Sequence, residues 1–142
     1  MTATHVMTML ALAQRTGEEP VPATACAFSV GTNPVVIRRL VGELREAGLV
    51  AAVRGAGGGV RLARAAGDVT LADVASAVQA DELGLARYAP GCPNGDCRVA
   101  PHIAAEVTAR AAEAEAAMRA QLATVTLDSL VSHVNHRMEV PA

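Results

Sequence analysis

Two sets of side chains in this 142-residue chain could do chemistry. The first is a block of arginines: residues 34–64 carry Arg38, Arg39, Arg45, Arg54, Arg61 and Arg64 against only Glu43 and Glu46. A guanidinium is a permanent cation with a fork of donors, matched to phosphate oxygens and to the O6/N7 edge of guanine. The second set is Cys92 and Cys97, followed by His102. Two thiols with four residues between them could close a disulfide under oxidation. With His102, or an acid from another subunit, they could instead begin a ligand set for zinc or an iron–sulfur cluster. They could also be incidental, with the segment around them taking a small ligand or none. A redox switch needs a lowered thiol pKa, which Asp96 opposes and Arg98 favours. The third cysteine, Cys26, falls on the apolar side of a short helical stretch and reads as a small buried hydrophobe.

The elements that must position these groups can be read from periodicity and punctuation. Val6, Met9, Leu10 and Ala13 recur at helical spacing before Gly17 to Pro20 break the chain. Residues 23–30 make a short second helix stopped by Gly31. Asn33 followed by Pro34 reads as the N-cap and first position of a third, whose core stripe is Ile37, Leu40, Val41 and Leu44. That stripe turns Val35, Arg38, Arg39, Gly42 and Arg45 outward. After Gly48 the pattern shortens to two strands, 49–54 and 60–63, joined by Gly55, Ala56, Gly57, Gly58 and Gly59. Val60 and Leu62 share one face of the second strand, and Arg61 takes the other. Helix, turn, helix and arginine-bearing hairpin come in the order of a winged helix-turn-helix.

Downstream, Thr70 and Asp73 stand at capping-box distance ahead of Leu71, Val74 and Val78. A Gly- and Pro-rich loop spans 81–101. A long alanine-rich helix follows from His102 to Ala123, with Glu106/Arg110 and Glu115/Arg119 spaced for ion pairs. Its length and small-residue face predict a dimerisation helix. Thr126 caps a last helix buried through Leu127, Leu130, Val131 and Val134. The expected organisation is a DNA-binding domain over 1–80 with its wing at about 49–64, a sensor loop over 81–101, and dimerisation and C-terminal helices over 102–142. The expected fold class is mainly α with a small β-hairpin wing.

Composition narrows the function. One Tyr, one Phe and no Trp leave no aromatic platform for sugars or single-stranded nucleic acid. The formal net charge of -2 conceals a basic block within an acidic chain, the pattern of a module that meets an anion with one face. An enzyme reading lacks parts: there is no nucleophile–base pair, and the glycine run follows a strand without opening a helix, so it is a poor phosphate loop. His5, His133 and His136 make no metal spacing with any cysteine. The uncharged start has no basic leader, and Pro22, Gly31, Asn33 and Pro34 interrupt the longest uncharged run, so a cytoplasmic protein with no membrane partner is expected.

The segments TNPVVIRRLVGELREAGLV (32–50) and RGAGGGVRLAR (54–64), with TLADV opening the next helix, resemble the Rrf family of bacterial winged-helix repressors over residues 6–135. PNGDCRVAPHI (93–103) is most similar to its YwnA-like branch, whose members carry a cysteine here and no cluster-ligand set. Cluster-binding relatives carry three cysteines across this region; the two later ones match Cys92 and Cys97 approximately, and the first falls near Ala86. The resemblance implies a homodimeric regulator, most simply a repressor, bound to a pseudo-palindromic double-stranded operator. Major-groove placement falls to Thr32, Asn33, Val35, Arg38 and Arg39, minor-groove placement to Arg54 and Arg61, and a phosphate contact to Arg64. Arg39 could pair with Glu43 instead, and Arg45 reads as a structural residue. Cys92 and Cys97 form the candidate redox sensor. No cofactor is expected; an iron–sulfur cluster on Cys92, Cys97 and His102, a small-ligand response, or a protein-interaction module without specific DNA binding are the alternatives.

Overall fold

The computed structural model describes residues 1–78 and 98–139. Its elements are α1 (Thr2–Thr16), α2 (Ala23–Val30), α3 (Pro34–Glu46), β1 (Val50–Val53), β2 (Gly59–Leu62), a 3-10 turn (Ala66–Asp68), α4 (Leu71–Ala77), α5 (Ala100–Ala123) and α6 (Leu127–Glu139). They fall into two compact units: the described residues within Met1–Ala80 and Leu122–Ala142, and those within Asp81–Gln121. The fold is mainly helical with one antiparallel hairpin, as expected.

The first unit holds the core. Val6, Met7, Leu10, Ile37, Leu44, Leu49, Leu62, Val69, Val74 and Leu127 are almost wholly removed from solvent, as is Cys26, and among the described residues no polar or charged residue is buried. Met7 takes the core place expected of Met9: α1 is apolar on two adjoining flanks, and the buried one carries Ala3, Val6, Met7 and Leu10. Met9 lines a shallow apolar groove instead, with Met1, Leu12 and Val134. Val134 was expected to be buried; it is 40% exposed, while Leu127 and Val131 enter the core.

Caps set the helix ends. Gly17 and Gly31 end α1 and α2 in the left-handed conformation, at φ 75 and 71, which glycine adopts without steric cost. The capping box forms as read: the Thr70 amide donates to Asp73 at 2.9 Å, and the Asp73 amide donates to the Thr70 hydroxyl at 3.1 Å. Thr126 similarly accepts the Ser129 amide at 3.2 Å. The starts of α4 and α6 are then stitched together, since the Leu71 amide donates to Val125 and the Leu127 amide to Val69, each at 2.9 Å.

The second unit is dominated by α5, whose 24 residues correspond to about 36 Å at the rise of an α-helix. Arg110 forms a double ion pair with Glu106 and Glu113, 2.8 Å to each. Val99, Ile103 and Val107 recur every four residues and are exposed, at 60, 55 and 39%.

Candidate nucleic-acid interface

The interface is assembled on α3 and the β1–β2 hairpin. Asn33 has extended backbone and accepts the Val35 amide on its side-chain oxygen at 2.8 Å, while Pro34 occupies the first helical position. Both features fix where α3 starts and which residues stand in its first turns. Ile37, Leu40 and Leu44 face the core. Val35, Arg38, Arg39 and Arg45 therefore face outward, and all four are exposed. Thr32 is half-buried and its amide donates to the Ala27 carbonyl at 2.9 Å, closing the turn between α2 and α3.

The hairpin pairs Val50 with Leu62, Ala51 with Arg61, Ala52 with Val60 and Val53 with Gly59. Val60 and Leu62 are buried, at 4 and 1%, and Arg61 is exposed, so the strand alternation holds. Arg54 leaves the end of β1 and is also exposed. The glycines between the strands have separate reasons. Gly55 and Gly57 have φ of 99 and 77; a Cβ on Gly58 would lie 2.4 Å from the Val53 carbonyl oxygen, and one on Gly59 2.4 Å from that of Val21.

The last contact reveals an element missed in the sequence. Val21 exchanges two backbone hydrogen bonds with Val60, at 2.9 and 2.8 Å, on the side of β2 away from β1. β2 is thus paired on both edges, and the chain passes directly from this clamp into α2. One residue of pairing leaves no periodic signal, and in the sequence Gly59 reads only as part of the hairpin tip.

The arginines differ in their engagement. Arg39 Nε donates to Glu43 Oε1 at 3.2 Å, with the Arg39 side chain 85% exposed. Such a solvated pair contributes only about 0.3–0.5 kcal/mol, which a phosphate or base edge can replace. Arg64 lies 3.8 Å from Asp73, the capping-box carboxylate, and its carbonyl accepts from the Gln14 side chain at 3.3 Å. Arg64 is thereby drawn toward the body of the unit. Arg38, Arg45, Arg54 and Arg61 have no ion pair or side-chain hydrogen bond among the described residues. The structure thus brings Asn33, Val35, Arg38 and Arg39 onto one helix start and Arg54 and Arg61 onto the adjoining hairpin.

Cys92 and Cys97 lie outside the described residues. His102 is exposed in the first turn of α5. Among the described residues no three His, Cys, Asp or Glu side chains come together as a metal site. Cys26 is buried, and that burial pushes its thiol pKa up, against a smaller lowering by a backbone hydrogen bond. A thiol held neutral in this way is poorly suited to ligating an iron–sulfur cluster or zinc, so the fit of such a group rests on Cys92, Cys97 and His102. No helix among the described residues is long and apolar enough to cross a membrane.

A family model described as Rrf2, iron-dependent transcriptional regulator, matches residues 1–133. YwnA of Bacillus subtilis, which bears the name of an HTH-type transcriptional regulator, is 29% identical over 132 residues, covering 93% of each chain. The HTH-type transcriptional regulator IscR of Xenorhabdus nematophila is 37% identical over 92 residues, 64% of this chain and 56% of that protein. The chain spans about half the length of the IscR relatives it matches. Among solved structures, that of CymR, the global cysteine regulator of B. subtilis, aligns with a TM-score of 0.60 at 27% identity, covering 92% of this chain and 91% of that one.

Proposed function

The chain belongs to the Rrf2 family of transcriptional regulators, and from that premise we propose that it is a sequence-specific repressor that binds double-stranded DNA as a homodimer. The observation that carries this reading is the outward set Val35, Arg38, Arg39, Arg54 and Arg61, exposed on a helix start and an adjoining glycine-tipped hairpin. A helix of this kind enters the major groove with its first turns, and a wing arginine enters the minor groove where the negative potential is strongest. Asn33 holds the helix start, Thr32 closes the turn before it, and Arg64 is a phosphate contact that must leave Asp73 to act. Residues 1–80 form the DNA-binding domain, 81–101 the sensor loop and 102–142 the dimerising part. The protein works in the cytoplasm and is not an enzyme.

The exposed row of Val99, just before α5, with Ile103 and Val107 on it supports assembly of two copies, because an apolar row in solvent gains by pairing with its equivalent. Two heads at a fixed separation match half-sites of a pseudo-palindrome, one helical turn or a multiple of it apart. The signal is an oxidant, such as a peroxide, that enters through Cys92 and Cys97: it takes two electrons and two protons from the thiols and leaves as water, and the disulfide so formed alters the head spacing and so changes operator affinity. In a second reading these two cysteines and His102 hold an iron–sulfur cluster, in keeping with the iron-dependent description of the family.

The test is selection from a pool of random duplexes with the full chain. A pseudo-palindromic sequence should be enriched, and single-stranded competitor should not displace it. A pool that stays random after repeated rounds would refute DNA recognition and favour a protein-interaction module.

A further inference from the structure

The first turn of α3 presents apolar groups where a base reader would be expected to be polar. Val35 and Val36 are 64 and 49% exposed, although Ile37, Leu40 and Leu44 of the same helix are buried. Valine is a poor helix former, and Val35 keeps most of its surface in solvent while Val36 buries about half. Their exposure calls for a partner that is absent from the isolated chain.

The chemistry of the major groove limits what that partner is. Base edges there offer hydrogen-bond donors and acceptors, and the one apolar group is the 5-methyl of thymine. A valine pressed against a polar edge would strip it of water and return no hydrogen bond, which is unfavourable. Against thymine the same side chain buries methyl on methyl.

Arg38 stands three residues after Val35, on the same outward face, about 5–6 Å away between Cβ atoms. It has no ion pair or side-chain hydrogen bond among the described residues, whereas Arg39, beside Val36, must first exchange its solvated Glu43 pair. The pair placed side by side to read without such an exchange is therefore Val35 with Arg38. Base pairs stack about 3.4 Å apart, so the two side chains reach bases that are neighbours or next neighbours.

Building on the DNA-binding reading, we infer that Val35 recognises the 5-methyl group of a thymine and Arg38 the O6/N7 edge of a guanine within two base steps of it, in each half-site. The operator class is then defined by an apolar and a cationic contact side by side.

The experiment uses the full chain and the duplex recovered by selection. Each thymine is replaced in turn by deoxyuridine, which removes the methyl and leaves every hydrogen-bonding group in place. One thymine in each half-site should then lose about fourfold in affinity, the factor that burial of one methyl-sized group carries. Val35→Ser should weaken binding to the thymine duplex similarly and bind the thymine and deoxyuridine duplexes equally. No sensitive thymine in the wild-type scan would overturn the inference whether or not the variant folds, and so would a sensitivity that persists in Val35→Ser. If the selected duplex binds no better than a scrambled one, the DNA-binding reading itself fails, a result distinct from specific binding that ignores the methyl.

Discussion

Asn33 and Cys26 show how single residues hold the reading head. Asn33 caps α3 through the Val35 amide at 2.8 Å, and replacing such a cap by alanine typically costs about 1 kcal/mol. Asn33→Ala is therefore expected to lower the melting temperature by several degrees and to weaken DNA binding, since the cap also fixes where Arg38 and Val35 stand. Cys26 has its thiol pKa raised by burial above the ordinary 9.0. A group whose folded pKa is raised contributes stability that is complete below the unfolded value and is lost as pH climbs through the folded one. Denaturant melts should thus show stability falling as pH rises past the ordinary thiol range, with Cys26→Ala losing that part of the slope. At this scale the sequence was most legible where the physics is local: Asn33–Pro34, Thr70 with Asp73, and Thr126 each carry their signal within four residues. The attraction of Arg64 to Asp73 was not legible, because it depends on the 3-10 turn folding the chain back between them.

The elements explain why reading helix and wing act as one piece. Val21 clamps β2 from the edge opposite β1, and α2 starts two residues later. The wing arginines are thereby tied to the helix pair that carries Arg38. Gly59 permits this approach, since a Cβ there would lie 2.4 Å from the Val21 carbonyl oxygen, a backbone atom that cannot turn aside. Gly59→Ala is expected to destabilise the chain by about 1–3 kcal/mol, the range for forcing atoms into a packed site. In that background Arg54→Ala should cost less DNA affinity than in wild type, a non-additivity read by a double-mutant cycle. Equal costs in both backgrounds would show that the clamp has no part in placing the wing. The hairpin was legible from alternation and glycines, but the third edge rests on one residue pair far apart in sequence. In the same way, the choice of Met7 over Met9 for the core was decided by which flank of α1 met its neighbours.

For the whole molecule, the net charge of -2 is a poor guide, because the basic groups are gathered in residues 34–64 and the acids predominate after them. In the proposed complex the acidic remainder would be repelled by phosphates, leaving the basic block to make the contact. Substituting Glu for both Ile103 and Val107 on the exposed stripe of α5 should give a monomer by analytical ultracentrifugation, with an unchanged head and much weaker operator binding. A dimer that survives this change would place the interface elsewhere. The most direct test of DNA recognition by this basic face is a titration of the selected duplex and a scrambled one between about 50 and 200 mM salt, where phosphate contacts change affinity steeply. A repressor reading DNA through this face should prefer the selected sequence by at least about a thousandfold, with log affinity falling linearly by about 0.9 per neutralised phosphate for each unit of log salt. Equal affinity for the two duplexes, or binding indifferent to salt, would contradict it.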